Sequence, residues 1–401
     1  MMIVGCLICI VGFGARSSFG LFLSPMTAAM GWDRETYALA MAFQNLLWGL
    51  MMPMAGMLAD RYGYILVVGG GALIYALGIF GMAVVDSTTL LYLTGGVLTG
   101  AGVSFTAFSL VSAAMVRVIG PDKRSLVLGV GTAASSVGQV FYSPVTQGMI
   151  EGYGWQSSLF FVAFSTLIIL PLAMFLPNSP KVMGEAETKQ TTLEAIREAI
   201  GHRGYLLLTT GFFVCGFHVA FITVHFPAYV TDLGLAPIVG AWSIALIGLF
   251  NIFGSLLSGM YGQWRSKKLG LSFIYSARAL TIYVLLIVPK TELTIYFFAA
   301  VMGILWLSTV PLTTGVVAQV FGVRYMATLY GFVFLSHQLG SFLGVWLGGV
   351  LHDITGSYDL MWKAGIILGL VAAVVHLPIN EEPLPRLSMD GTEKGGVESL
   401  Q

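Results

Sequence analysis

The chain has 401 residues, of which 57% are hydrophobic and only 9% charged, with 19 basic and 19 acidic side chains giving a net charge of zero. Soluble domains carry about 25% charge, so a water-facing globule of this composition would aggregate and the bilayer is its natural solvent. Zero net charge also offers no long-range attraction to nucleic acid, which is not expected as a partner.

A spanning helix needs about 20 mostly apolar residues. Twelve runs meet this, numbered 1 to 12 in chain order: 3–29, 35–59, 64–85, 88–118, 125–150, 155–176, 204–231, 236–261, 269–289, 292–320, 325–351 and 358–379. Lipid gives exposed backbone groups no partner, so such runs must be helices. The short alternating segments of a β-barrel are absent. The expectation is an all-α membrane protein of twelve transmembrane helices in two pseudo-symmetric six-helix bundles. Residues 1–176 and 204–380 form the bundles, 177–203 a cytoplasmic linker, and 381–401 a disordered cytoplasmic tail.

Helix 1 is too long for a signal-peptide core and is expected to remain in place. Its Cys6 and Cys9, like Cys215 in helix 7, read as small buried hydrophobes. Arg16 lies near its middle and Arg278 near the middle of helix 9. An arginine at the centre of a membrane helix costs roughly 3 kcal/mol on insertion scales. All nineteen acidic residues fall outside the apolar runs or at their margins. No internal carboxylate answers these charges, and the simplest partner is an anion that comes and goes. The guanidinium fork suits a carboxylate. The alternative for Arg16 is satisfaction by helix-end carbonyls or hydroxyls, and for Arg278 a role bracing helices.

Secondary candidates for substrate contact are Asn45 and Trp48 on helix 2, Gln139 and Tyr142 on helix 5, Asn251 on helix 8 and Trp306 on helix 10. Polar side chains at lipid depth point inward, though each also fits an ordinary contact between helices. The aromatic members can enclose a short apolar tail. Pro53, Pro144, Pro227 and Pro311 can bend their helices by removing a backbone bond. In the linker, Thr192 to Ala199 fits a short amphipathic helix at the surface. His218 and His225, seven apart on helix 7, share a face, and His337 sits beside Gln338 in helix 11. Histidine titrates near neutrality, so these three are the side-chain candidates for carrying H+; otherwise they are structural donors and the anion alone neutralises Arg16. His376 reads as structural. Gly340, Gly344 and Gly348 recur every four residues, a spacing that lets helix backbones approach closely.

The two halves repeat at a shift of 202. Gly14 meets Gly216, Pro25 meets Pro227, Gly129 meets Gly331 and Gly138 meets Gly340, while Arg16 falls opposite His218 and Ser135 opposite His337. Two like halves with a site between them is a transporter layout. Of the 19 basic residues, 14 fall in the loops 60–63, 117–124, 177–203, 262–268 and 321–324 and the tail, and three (Arg34, Lys290, Lys363) on the other side. The positive-inside rule puts both termini in the cytoplasm.

Between helices 2 and 3 the chain reads Gly56-Met57-Leu58-Ala59-Asp60-Arg61-Tyr62-Gly63. This resembles the G-x-x-x-D-R-x-G signature of the major facilitator superfamily, in the position where that family carries it. The basic residues usual after the last glycine are replaced by Tyr64 and Ile65; the second-half counterpart, Gly259 to Lys268, keeps the basic part and lacks the aspartate. The resemblance implies that Gly56, Asp60, Arg61 and Gly63 form a gating motif, and that helix 9 is peripheral. The run Gly14 to Pro25, Gly138-Gln139 followed by Pro144 and Tyr153-Gly154-Trp155, and Asp353, Gly356 and Tyr358 after helix 11 resemble the monocarboxylate transporter and oxalate/formate branch. Members of that branch often carry an arginine in helix 8, where this chain has Leu249, Phe250, Asn251 and Ile252.

No H-E-x-x-H, Walker A or G-x-S-x-G motif occurs, and Gly12-x-Gly14 lies inside an apolar run. No enzymatic activity, cofactor or metal is expected. The functional expectation is a multi-pass plasma-membrane transporter of a small organic anion, most simply a monocarboxylate. It would work as a monomer by alternating access, as a proton symporter or an anion antiporter. The alternatives are an exporter of amphipathic or cationic compounds, which would call for a membrane-embedded acid that is missing, and a nontransporting membrane receptor.

Overall fold

A computed structural model of the protein describes residues 1–119, 124–177, 190–322 and 324–385, with backbone alone for 124–126. The central part of the expected linker, 178–189, and the tail from 386 lie outside the described residues. Among the described residues the chain is all helical. Eleven continuous stretches are long and apolar enough to cross a bilayer. One of them, Val127–Ala173, has 47 residues, roughly 70 Å at 1.5 Å per residue and far too long for a hydrocarbon core of about 30 Å. It is two spans divided at Gly154, whose φ of 81° and ψ of 164° turn the chain back. Only glycine takes that conformation without strain.

The twelve spanning helices are therefore α1 (Met2–Met30), α2 (Arg34–Tyr62), α3 (Tyr64–Ala83), α4 (Thr88–Ile119), α5 (124–153), α6 (155–173), α7 (Arg203–Asp232), α8 (Pro237–Trp264), α9 (Lys267–Ile287), α10 (Glu292–Phe321), α11 (Met326–Thr355) and α12 (Asp359–His376). Odd-numbered helices start on the face that carries the chain termini, and even-numbered ones on the opposite, far face.

Four helices expected to be continuous are broken: α4 between Phe105 and Phe108, α6 between Thr166 and Ile169, and, nearer the site, α1 and α10. In α1 the α-helix stops at Ser17, a 3₁₀ turn covers Phe19–Phe22, and the helix resumes at Leu23. The hydroxyls of Ser17 and Ser18 bond back to the carbonyls of Gly14 and Ala15, both at 2.8 Å, a habit that bends helices. The Tyr37 hydroxyl donates to the Phe19 carbonyl at 2.6 Å and holds the break. In α10 the helix ends at Leu305 and restarts at Thr309. Pro311 falls in the first turn after that break, where it costs no helix bond. Pro53, Pro144 and Pro227 lie inside their helices.

The repeat appears as matched packing. A Cβ on Gly138 would lie 2.1 Å from the Ile10 carbonyl oxygen, and one on Gly340 2.0 Å from that of Phe213. Thus α5 presses on α1, and α11 on α7, through the same repeated glycine. Gly344 and Gly348 continue the α11 stripe against Phe217 and His225. Gly129 and Gly331 meet nothing within 4 Å, so that match carries no packing role.

The short helix Thr192–Gly201 opens with a capping box: Thr191 accepts from the Glu194 backbone, and Glu194 accepts from the Thr191 backbone at 2.7 Å. Those backbone and side-chain bonds hold the Glu194 carboxyl below its usual range. Tyr325 donates to the Gln190 carbonyl and ties this helix under the second half. Glu381, just past α12, caps α9 by accepting from Ser266 Oγ and Lys268 N, both at 2.8 Å. A carboxylate from the start of the tail thus sits at the second-half loop that lacks an aspartate of its own.

Candidate functional site: the seam between the two halves

The halves meet along two lines, α2 against α11 and α5 against α8. On the first, the Gln338 side chain donates to the Asn45 carbonyl at 2.8 Å, and Trp48 meets Phe334 edge-on at 5.3 Å. On the second, Gln139 donates to the Ile244 carbonyl at 2.8 Å, and Asn251 to Ser136 Oγ at 3.1 Å. All four contacts lie near mid-helix. The other hydrogen bonds and ring contacts joining α2 to α11 lie between this level and the far face. Phe43 packs on Phe342 at 5.9 Å, and the Trp346 indole N–H donates to Glu35 at 3.1 Å.

The far face is closed by charge. Arg34 places both terminal nitrogens 2.6 Å from the two carboxylate oxygens of Asp232 on α7, and one of them also donates to the Tyr358 hydroxyl at 2.9 Å. Asp353, at the end of α11, accepts the backbone N–H groups of Arg34 and Glu35 at 3.2 and 2.7 Å, and so caps α2 from the other half. His352 lies 3.4 Å from Asp232. Burial pushes the Tyr358 hydroxyl well above its usual range, so it stays protonated. Beneath, α1 and α7 touch: a Cβ on Gly20 would lie 2.1 Å from the Thr223 carbonyl oxygen. The first half's apolar core on this side takes in Ala220, Val224, Ala228 and Val345 of the second half.

Toward the termini face α2 is different. Leu50, Met54 and Met57 are exposed, and Gly56 has nothing within 4 Å. Asp60 pairs with Arg117 of its own half and keeps 64% of its side-chain surface. Arg61 lies over the Tyr62 ring, and Gly63, at φ 86°, makes the turn into α3. Among the described residues, the hydrogen bonds and ring contacts between the halves run from mid-helix to the far face, and none is found toward the termini face, where the halves part.

Arg16 stands at the top of that parting. It retains partial exposure. Its Nη2 donates to Asn45 Oδ1 at 2.6 Å, and its guanidinium lies 4.5 Å over the Trp48 ring and 5.9 Å from that of Phe13. That single hydrogen bond uses one of five N–H donors, and no carboxylate among the described residues is in contact. Asn45 donates in turn to the Met41 carbonyl at 2.8 Å. The Trp48 indole N–H is buried with no acceptor. Tyr142 lies against Gly14, two residues before Arg16.

Arg278 is elsewhere. Fully buried in the second half, it fills the break in α10: Nε and Nη2 donate to the Leu305 carbonyl at 3.1 and 2.7 Å, Nη2 also to that of Trp306, and Nη1 to Cys215 Sγ at 3.4 Å. Trp306 offers its backbone to Arg278, and the neighbouring Leu307 N–H bonds to Asn251 Oδ1 at 3.0 Å. Of the two roles the sequence left open for Arg278, ligand contact or bracing helices, its surroundings match the second: helix-end carbonyls already satisfy it, and it is not brought together with Arg16.

The histidines also divide. His218 bonds the Gly365 carbonyl at 2.8 Å inside the second half. His225 reaches the Val345 carbonyl at 2.8 Å and the Tyr358 hydroxyl at 3.0 Å, which fixes its proton on Nε2. His337 contacts Gln338 Oε1 at 3.0 Å and stacks on Phe334, and through Gln338 and Asn45 it is the one linked to Arg16. The far-face cluster and Gln338 are the residues sequence reasoning did not assign. Arg34 stood out as one of three basic residues on the sparse side, and Asp353 and Tyr358 in a motif, but nothing in the sequence paired them.

This arrangement, two six-helix halves around a mid-depth seam that opens on one face, is that of a membrane transporter. The chain belongs to the Major Facilitator Superfamily, whose model matches residues 5–345. It is 25% identical over 381 residues to the uncharacterized MFS-type transporter YcxA of Bacillus subtilis (strain 168), covering 90% of each chain. It is 24% identical to monocarboxylate transporter 13 of Rattus norvegicus, covering 86% of this chain and 80% of the relative, and 22% identical to the oxalate:formate antiporter of Oxalobacter formigenes, covering 95% and 90%. A bacterial homolog of the human lysosomal transporter Spinster, in an inward-facing and occupied conformation, superposes with a TM-score of 0.76 at 13% identity, over 94% of this chain and 95% of that one. The protein is a multi-pass membrane transporter, not an enzyme.

Proposed function

We propose that the protein is a secondary transporter of a small monocarboxylate, held by Arg16 at the seam and carried by alternating access. The observation behind this reading is a guanidinium at lipid depth with one hydrogen bond to a neutral amide and, among the described residues, no carboxylate in contact. A carboxylate bound there completes the fork and neutralises the charge. With Arg278 satisfied inside the second half, the site holds a single positive charge, which favours a monoanion over a dianion. Relatives named for monocarboxylates and for oxalate and formate agree with an organic anion. If the termini face is cytoplasmic, as the basic loops favour, the state described is inward-open and Arg34, Asp232 and Asp353 form the outer gate. Asn45, Trp48 and Gln338 line the site in this reading, while Gln139 and Asn251 serve packing at the seam and Tyr142 and Trp306 pack inside the first and second half respectively. Coupling is by proton symport or anion exchange. For symport His337 is the side chain best connected to Arg16.

The test is counterflow in proteoliposomes against acetate, lactate, pyruvate and oxalate at two pH values. Exchange of a monocarboxylate by the wild type is expected, lost in Arg16→Ala and barely restored in Arg16→Lys, which keeps charge without the fork. Acceleration at low pH marks symport, and indifference to pH marks exchange. Undiminished transport by Arg16→Ala refutes the proposal.

A further inference from the structure

The wall beside Arg16 is aromatic and comes from both halves. The Trp48 ring lies under the guanidinium at 4.5 Å and meets Phe334 at 5.3 Å and 74°. Phe334 is followed by Tyr330 at 6.4 Å and stacks on His337 at 5.6 Å and 9°. Phe13 flanks Arg16 on its own helix. Phe13, Trp48, Tyr330 and Phe334 all keep partial exposure at or below the level where the halves part, whereas the rings packed deeper, such as Phe212 against His337, do not. The polar groups at the same depth on the other seam, Gln139, Ser136 and Asn251, are occupied with one another or with backbone. An acid with a second carboxylate or a hydroxyl would find few free partners here.

We infer that the preferred substrate is an aryl monocarboxylate: an aromatic ring on a short stem to one carboxylate, with no ammonium. This rests on the reading of Arg16 as the anion site. The carboxylate takes the Arg16 fork, where one N–H is engaged by Asn45 and four remain. The ring then lies along Trp48 and Phe334, edge or face against each, the geometry aromatic pairs favour. A zwitterionic aromatic amino acid is disfavoured, because its ammonium would need an acidic side chain at lipid depth. Trp48 belongs to the first half and Phe334 to the second, so a ring lying across the two touches both moving bodies, while acetate would touch only the first.

The experiment is inhibition of counterflow by benzoate, phenylacetate, phenylalanine, acetate, lactate and oxalate, in wild type, Phe334→Leu and Arg16→Ala. Half-inhibition by an aryl acid is expected at a concentration at least tenfold below that for acetate, with phenylalanine weak. Phe334→Leu, which removes the ring and keeps an apolar side chain, is expected to reduce that ratio at least fivefold. Two results overturn the inference and leave the anion site standing: Arg16-dependent exchange of acetate or lactate with no aryl advantage, or an aryl advantage untouched by Phe334→Leu. Failure of every carboxylate in the wild type overturns both.

Discussion

The closure of the far face gives the sharpest quantitative test, through Asp353→Asn. The Asp353 carboxylate accepts two backbone N–H groups at the start of α2, at 3.2 and 2.7 Å, and is 23% exposed. Asparagine keeps one acceptor oxygen but loses the charge and turns an amide N–H toward a helix N-terminus. One charge-assisted hydrogen bond is worth about 1.5–3 kcal/mol and the helix-dipole contribution about 0.3–1 kcal/mol. Partial exposure moves the sum toward its lower end, about 2 kcal/mol. All of it falls on the state in which the far face is shut, because Asp353 and α2 belong to different halves. At 1.4 kcal/mol per decade the open population rises roughly 30-fold. Ala228, 2% exposed and packed in the core shared by the halves, reports opening once replaced by cysteine. The labelling rate with a bilayer-impermeant maleimide added to the far face should rise by about that factor in Asp353→Asn. It should also rise in Arg34→Gln, which breaks the pair with Asp232. Rates within twofold of the parent in both variants would refute the latch.

Three further outcomes are expected. Arg278→Ala strands the Leu305 and Trp306 carbonyls, at about 1–3 kcal/mol each, so thermal unfolding should show a large loss of stability while the folded fraction keeps its substrate KM; a raised KM with normal stability would place Arg278 in the site. Gly216→Ala puts a Cβ 1.8 Å from the His337 carbonyl oxygen, whereas Gly331→Ala meets nothing within 4 Å. The first should destabilise by about 1–3 kcal/mol or more and the second hardly at all, and equal Tm shifts would contradict the packing described. Asp60→Asn removes an exposed pair with Arg117 worth under about 1 kcal/mol; Tm should hold while counterflow slows, and unchanged transport would take the gating role from the motif.

Much of the fold was legible because lipid imposes a simple rule. Runs of apolar residues long enough to cross must be helices, and the count of twelve followed from run length alone, although α5 and α6 are continuous but for Gly154. The repeat at a shift of 202 was visible because close backbone approach leaves glycine little alternative, as at Gly138 and Gly340. The breaks in α1 and α10 were not visible. They depend on serine back-bonding and on a guanidinium from α9, neither of which alters hydropathy. Arg16 was singled out for its unanswered charge. The same argument covered Arg278, for which the peripheral place of helix 9 in the resembled family left a bracing role open, but run length and hydropathy did not choose between the two roles.

The sequence by itself determined that this chain lives in a bilayer, crosses it twelve times as two related halves, and buries two arginines without a single carboxylate at their depth, since composition and run length act locally and solvent does the rest. The tertiary structure alone decided which arginine is free. Arg278 meets the ends of a broken helix brought to it from 27 residues away in the chain, while Arg16 meets one amide and an opening. It decided likewise that Arg34, Asp232 and Asp353, spread over some 320 residues, form one latch. Pairing across that distance depends on how helices pack, which no local pattern of residues encodes.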